Sequence, residues 1–246
     1  MKKASKNSTQ SKLIPYPNII GLGKEWSDIV DTLSKISGYY RELNRVLSFG
    51  KDVEIRREAV KDLSDKPKMV LDLGAGDGSF TEVACNEYPG IELIIMLDVL
   101  SEMLSKARKT PNVEKVQGVF EYLPFRGSLF DHVLAAFSLR DARDLEKALA
   151  EVSNVLRKSG RLIVVDLGKP DNLLKRCLIS FYWIVIAPLH AFLRLGTRGL
   201  ESIKIMKTLK SYPVTSQLVK IYRRYFHQVM IVEKLMGSAI ILKAQK

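Results

Sequence analysis

The sequence predicts an α/β fold: a doubly wound, mostly parallel sheet of seven strands with an antiparallel C-terminal hairpin strand. Three observations carry this. An apolar run, Met69–Leu73, ends in a turn with glycine at 74, 76 and 78 and leads into a helical pattern, Ser79–Tyr88. Further apolar runs alternate with one-faced helical segments as far as Leu167, as parallel strands joined by crossover helices do. The last two runs, Val229–Leu235 and Ser238–Leu242, stand two residues apart, too close for a parallel crossover, so they form an antiparallel hairpin.

Taken in order, residues 1–12 carry four lysines and no acid and read as a disordered basic tail. The rest, 13–246, reads as one domain. Its first part, 13–66, is a helical cap with helices over 26–37 and 52–63 and a tyrosine-rich segment, 38–50, between them. A core over 67–168 holds strands at Met69–Leu73, Ile91–Val99, Val113–Val119, Phe130–Leu139 and Arg161–Leu167. Asp144–Arg157 places Leu145, Ala148, Leu149, Val152, Val155 and Leu156 on one face, and Lys158-Ser-Gly160 ends that helix. A helical insertion, 169–226, precedes the hairpin, 227–246. It contains Cys177–Leu193, 17 residues without a formal charge. That run approaches the length of a membrane span, but Pro188 and His190 interrupt it and Arg176 and Arg194 flank it. A buried helix and an apolar, interfacial wall for a greasy substrate both remain open.

Composition narrows the function. Cys85 and Cys177 are far apart and in no paired motif, so they read as free thiols of a reducing compartment, the cytoplasm. His132, His190 and His227 have no metal-ligand spacing. Of the net charge of +12, residues 169–246 hold +11, from fourteen Lys and Arg against three acids. An anionic partner is therefore expected there, on the inner face of a membrane in preference to nucleic acid, for which no binding module is seen. The sequence sets no oligomeric state.

The glycine turn is where the chemistry lies. Glycines let a ligand lie against bare main chain, and an acid about 20 residues on, Asp98, suits the two hydroxyls of a ribose. Dinucleotide sites use G-x-G-x-x-G, whereas this turn is G-x-G-x-G with Asp72 two residues before it. That spacing resembles the D/E-x-G-x-G-x-G motif of class I S-adenosylmethionine (AdoMet) methyltransferases, with Asp72 placed for the ligand's ammonium group.

Other segments resemble the ubiquinone/menaquinone-biosynthesis C-methyltransferase family over roughly Tyr39 to Lys243. The family's Y-D-x-M-N-x-x-x-S-x-G is similar to Tyr40-Arg-Glu-Leu-Asn44-Arg-Val-Leu-Ser48-Phe-Gly50. Its G-D-A-E-x-L-P-F is similar to Gly118-Val-Phe-Glu121-Tyr-Leu-Pro-Phe125, and its F-G-L-R-N to Phe137-Ser-Leu-Arg140-Asp141. Its V-L-K-P-G-G-R-L-x-V-x-E-F-x-K-P is similar to Val155–Pro170. The resemblance implies AdoMet as cofactor, contacted by Asp72, Gly74, Ala75, Gly76, Gly78, Asp98, Val99, Val119, Phe120 and Phe137. It implies a lipophilic quinol as acceptor, methylated on ring carbon, with Arg140 stabilising the developing oxyanion and Tyr40 closing over the methyl group. An ion pair of Arg140 with Asp141 or Asp144 is the competing role. Asn44, Ser48, Phe181, Trp183 and His190 are the acceptor-side candidates. Another lipid or small-molecule methyltransferase, or a non-catalytic AdoMet-binding subunit at the membrane, stays open. The departures are Val119 for the family's Asp, with Glu121 or main chain left to meet the adenine, and Arg41, Asp52 and Asp141, expected on the acceptor side.

Overall fold

The computed structural model describes residues 20–61, 67–206 and 208–246; the basic tail expected at 1–12 lies outside them. One sheet contains β1 (Met69–Leu73), β2 (Leu93–Asp98), β3 (Val113–Gln117), β4 (Phe130–Ala136), β5 (Leu156–Leu167), β6 (Gln228–Lys234) and β7 (Ala239–Gln245), in the order β3-β2-β1-β4-β5-β7-β6. β1 to β5 run parallel, and β7 is antiparallel to both β5 and β6. The strand centres are covered on both faces, which is why Val70–Leu71, Val133–Ala135 and Leu162–Val165 are apolar and buried without alternation.

The helices are α1 (Trp26–Ile36), α2 (Tyr40–Leu47), α3 (Asp52–Val60), α4 (Ser79–Glu87), α5 (Ser101–Lys106), α6 (Leu145–Val155), α7 (Leu173–Phe181), α8 (Ala187–Leu195), α9 (Ser202–Met206), α10 (Thr208–Ser211) and α11 (Thr215–Tyr222). On one face, Leu149 and Val152 of α6 and Leu218 and Tyr222 of α11 pack on Leu71, Val133 and Leu162. On the other, Ile55 and Ala59 of α3 and Phe80 and Ala84 of α4 pack on Val70, Ile94 and Leu134. A third cluster joins Ile36, Leu43 and Leu47 to Trp183, Ala187, Ala191 and Leu167. It sets α1, α2 and the α7–α8 segment as a cap over the carboxyl end of the sheet.

Most element ends shift by a few residues from the sequence reading, and three differences have a local reason. The tyrosine-rich segment is itself helical, with α2 burying Leu43 and Leu47. β4 stops at Ala136, because Phe137 takes φ +56° while its N–H donates to Val165 O at 2.7 Å. β5 begins five residues early, at Leu156: Phe130 pairs with Leu156 and His132 with Arg161, so the expected turn at 158–160, with Ser159 at φ +66°, is an irregularity within the strand.

The fully buried Leu149 measures this core. Leu149→Ala is expected to cost about 2–5 kcal/mol in urea unfolding, with AdoMet affinity unchanged in the folded fraction.

Candidate active site

Strand order reverses between β1 and β4, which opens a crevice at their carboxyl ends, the usual ligand position in such sheets. Ser138 donates to Leu73 O at 2.8 Å and ties the two strand ends together. Gly74 N–H and Ala75 N–H both donate to Leu97 O, at 2.8 and 3.0 Å, which turns the chain back across β2. Gly74 has φ +71°, and a Cβ there would stand 2.4 Å from Ser138 Cβ and 2.9 Å from the Phe120 ring, so no other residue fits.

Asp98 closes β2 as expected. Its carboxylate accepts from Gly76 N–H at 2.8 Å and Leu100 N–H at 2.9 Å, and burial raises its pKa. Each oxygen keeps a lone pair for a ligand hydroxyl. Asp98 lines a small cavity with Gly74, Gly76, Val99, Phe120 and Phe137. Gly78 lies behind this surface, at the start of α4.

Beside Gly74–Gly76 a second small cavity is lined by Ala75, Asp72, Arg56 and Tyr40. Asp72 Oδ2 accepts from Thr81 N–H at 3.0 Å and Thr81 Oγ1–H at 2.7 Å, but its buried Oδ1 has no partner. Burial raises its pKa to about 6. Arg56 Nη1 donates to Asp52 at 2.9 Å and its guanidinium stands 4.9 Å over the Phe137 ring, but its buried Nε has no partner. One unpaired acceptor and one unpaired cationic donor thus line one cavity. That is complementary to an amino-acid zwitterion, ammonium toward Asp72 and carboxylate toward Arg56, and so to the methionine end of AdoMet. Arg56 was missed in the sequence because it sits inside an ordinary amphipathic helix, α3.

Across Tyr40 and Phe137 lies a larger cavity of about 360 Å³. Tyr40, Asn44, Ser48, Arg140 and Trp183 all line it, as the sequence reading requires. Two candidates do not. Phe181 points outward and is 56% exposed, and His190 stacks on Phe49 at 4.6 Å outside the cavity. Trp183 takes the inward face of the turn between α7 and α8, which turns Phe181 away; Tyr182 lines the wall instead, its hydroxyl donating to Leu47 O at 2.9 Å. Tyr40 lines all three cavities, and burial raises the pKa of its phenol above the ordinary tyrosine value.

Arg140 reaches the large cavity but is not a free cation. Its Nη1 donates to Asp166 at 2.8 Å, its Nε to Thr208 Oγ1 at 3.2 Å, and its Nη2 stands 3.5 Å from Asp141. The competing ion-pair role is therefore real, with Asp141 and not with Asp144, which accepts from Lys147 N–H as the cap of α6. The sequence reading also left out Asp166, an acid buried at the carboxyl end of apolar β5.

Other departures from the family pattern lie elsewhere than expected. Val119 does not line the cavity beside Asp98; it bridges Tyr122, and the Phe120 ring lines the cavity instead. Glu121 accepts from Asp144 N–H at 3.0 Å just ahead of α6, so it is a helix N-terminal charge and does not line the cavity beside Asp98. Arg41 belongs to the cofactor side: it binds Asp77 at 2.7 Å and Glu82 at 3.1 Å and fastens α2 to the glycine turn. Asp141 also lines the cofactor-side cavity, its pKa raised to about 6 by burial. Only Asp52 lines the acceptor side.

The ubiE/COQ5 methyltransferase family model matches residues 23–233. A demethylmenaquinone methyltransferase of Bacteroides fragilis is 28% identical over 98% of this chain and 100% of its own length. The ubiquinone/menaquinone biosynthesis C-methyltransferase UbiE of Wigglesworthia glossinidia brevipalpis is 31% identical over 65% of this chain and 69% of its own length. Solved structures share the fold. A SAM-dependent methyltransferase of Thermotoga maritima, a possible histamine N-methyltransferase, superposes with a TM-score of 0.63 at 20% identity, covering 88% of this chain and 98% of its own. The plantazolicin methyltransferase BpumL, in complex with SAH, gives 0.64 at 12% identity, covering 92% and 94%.

Two outcomes follow for AdoMet binding, both measurable by calorimetry. Asp98→Ala and Arg56→Gln should each weaken it by at least about tenfold, about 1.4 kcal/mol, through loss of charge-assisted hydrogen bonds. Affinity should also fall as pH drops through about 6, because Asp72 of the free protein then holds a proton that must leave before it can pair with an ammonium group. Asp72→Asn should lose that inflection along with most of the affinity. Because the folded pKa of Asp72 is raised, its contribution to stability is full at low pH and is lost as pH rises through about 6. Ligand-free Asp72→Asn should therefore melt no lower than the parent at pH 8.

Proposed function

The chain belongs to the ubiE/COQ5 methyltransferase family and is an AdoMet-dependent methyltransferase, and from that membership we propose that it C-methylates a polyprenyl benzoquinol or naphthoquinol in quinone biosynthesis. The observation that carries this reading is the apolar cavity of about 360 Å³ on the far side of Tyr40 and Phe137 from the cofactor cavities. It offers a flat ring the edge of an aromatic wall and offers a prenyl tail Leu167, Leu178 and Ile179. The curated relatives named above act, by their names, on demethylmenaquinone or in ubiquinone and menaquinone biosynthesis. The same reading puts the protein in the cytoplasm, peripheral to the membrane in which such an acceptor dissolves.

AdoMet, when bound, supplies the methyl group as an electrophilic carbon on sulfur. The chain's own residues supply position and charge. Asp72, Arg56 and Asp98 hold the two ends of the cofactor, and Tyr40 closes the passage between the cavities. That placement brings donor and acceptor into line at short range, the largest contribution such a site can make. Negative charge growing on a ring oxygen is met by the Arg140 guanidinium. Asp166, Asp141 and Thr208 fix its orientation beforehand, so no reorganisation is needed when the charge appears. A guanidinium remains protonated here, so its part is charge stabilisation and not proton abstraction.

The test is transfer of label from AdoMet to a reduced demethyl-naphthoquinol or demethyl-benzoquinol, with the product identified by mass. Transfer to neither ring, with transfer to an amine or a sterol, would replace this acceptor class. Arg140→Lys should lower kcat by on the order of 10–100-fold with KM little changed, because an ammonium cannot keep the forked contacts. Tyr40→Phe should cost less than Tyr40→Ala, since the ring edge and not the hydroxyl closes the passage.

A further inference from the structure

Resting on the lipophilic acceptor just proposed, we infer that the outer face of the α7–α8 segment, together with Phe49, Leu235 and Met236, docks onto an anionic phospholipid bilayer, so that the acceptor cavity opens directly into lipid. The segment is amphipathic in an unusual sense: one side is protein core and the other is apolar surface. Trp183, Ala187 and Ala191 pack inward on α2. Outward, Leu174 is 71% exposed, Ile184 68% and Leu193 73%, with Leu178, Phe181 and Leu189 between them. The run Leu173–Ser211 is long and apolar enough to cross a membrane, but its inward side chains fasten it along the domain. A helix held in that way lies along a bilayer surface and does not span it.

The rim of the acceptor cavity continues this face. Phe49, Leu235 and Met236 line the cavity, yet Phe49 is 60% and Met236 74% exposed. Their φ values are +50°, +48° and +60°, a region in which side chains other than glycine are strained. Among the described residues, three of the six non-glycine residues with positive φ thus stand on one rim, each presenting a large apolar side chain to solvent. Strain retained at one place marks function. Leu178 belongs both to the rim and to the exposed stripe, so the cavity mouth and the apolar face are one surface.

Charge selects the occupant. Lys175, Arg176, Arg194 and Arg198 flank the apolar stripe and make no ion pair among the described residues. Unpaired cations around an apolar face suit an anionic leaflet, where headgroups meet the cations and acyl chains meet the leucines. A second copy of the chain would set these same cations against each other.

The experiment is liposome co-sedimentation of the full chain with phosphatidylcholine vesicles, with and without phosphatidylglycerol, at low and high salt. Leu174→Glu, Ile184→Glu and Leu189→Glu are combined in one variant, and Arg176→Glu with Arg194→Glu in another; none of these residues lines the acceptor cavity. The parent should pellet with anionic vesicles and be released by salt. Both variants should lose at least tenfold of the bound fraction while AdoMet affinity and turnover of a short-chain, water-soluble quinol stay unchanged. Turnover of a long-chain quinol embedded in the vesicles should fall with binding. Retained AdoMet affinity reports that a variant has folded. As a measurement on the parent alone, hydrogen exchange in 173–195 should slow when anionic vesicles are added. Parent protein that stays in the supernatant throughout, or variants that pellet like the parent, would overturn the proposal. So would a parent dimer in ultracentrifugation that the leucine variant dissolves with no change in vesicle binding. Vesicle binding that follows these substitutions while no quinol is methylated would leave docking standing and remove the acceptor instead.

Discussion

A guanidinium buried between two carboxylates organises this molecule. Arg140 follows β4, Asp166 ends β5, and Thr208 begins α10 in the cap, so one side chain ties sheet to cap. Removing either member of such a buried pair leaves an uncompensated charge, typically a loss of about 3–5 kcal/mol. The same network stands in the acceptor cavity wall. The contact that closes the cap over the sheet is therefore also the one that presents a charged donor to the acceptor. Arg140 is thus both ion-paired and part of the cavity wall.

The two halves of the site differ in which polar atoms are left without partners. On the cofactor side Asp72 Oδ1 and Arg56 Nε are buried without a hydrogen bond, although Arg56 is ion-paired to Asp52. Burial has already raised the Asp72 pKa to about 6, and the ligand-free protein bears that cost until a cation arrives. On the acceptor side, Arg140 and Asp166 are matched before anything binds.

The sequence made much of this legible because the relevant constraints are local. Gly74 must be glycine for its turn, Asp98 ends its strand, and two runs two residues apart must form a hairpin, so each is visible in a short window. Tyr40, Asn44 and Ser48 of the Tyr40–Gly50 pattern all line the large cavity, although the helical state of that segment comes from Leu43 and Leu47 meeting α8, a tertiary contact. What escaped depended on partners distant in the chain. Asp166 reads as one more strand residue until Arg140 is beside it. Arg56 reads as a surface cation until burial and Phe137 are known. Phe181 and His190 were misplaced because a uniform apolar run does not say which of its faces turns inward.

Arg41 shows how a departure from a family pattern is resolved by geometry. A basic residue directly after Tyr40 would disturb a site that needed an acid there. Here the glycine turn supplies the acid from its own side: Asp77 accepts from Arg41 Nε at 2.7 Å while also accepting from Ser79. Glu82, on the first turn of α4, takes the other end of the guanidinium. The helix that carries Tyr40 is thus held to the loop that carries the cofactor glycines. Tyr40 then depends on two anchors of different kinds. Leu43 and Leu47 fix α2 to the apolar cap, and Arg41 fixes it to the cofactor loop. The two anchors hold α2 at both ends of the contact, and with it the ring of Tyr40 that lines all three cavities.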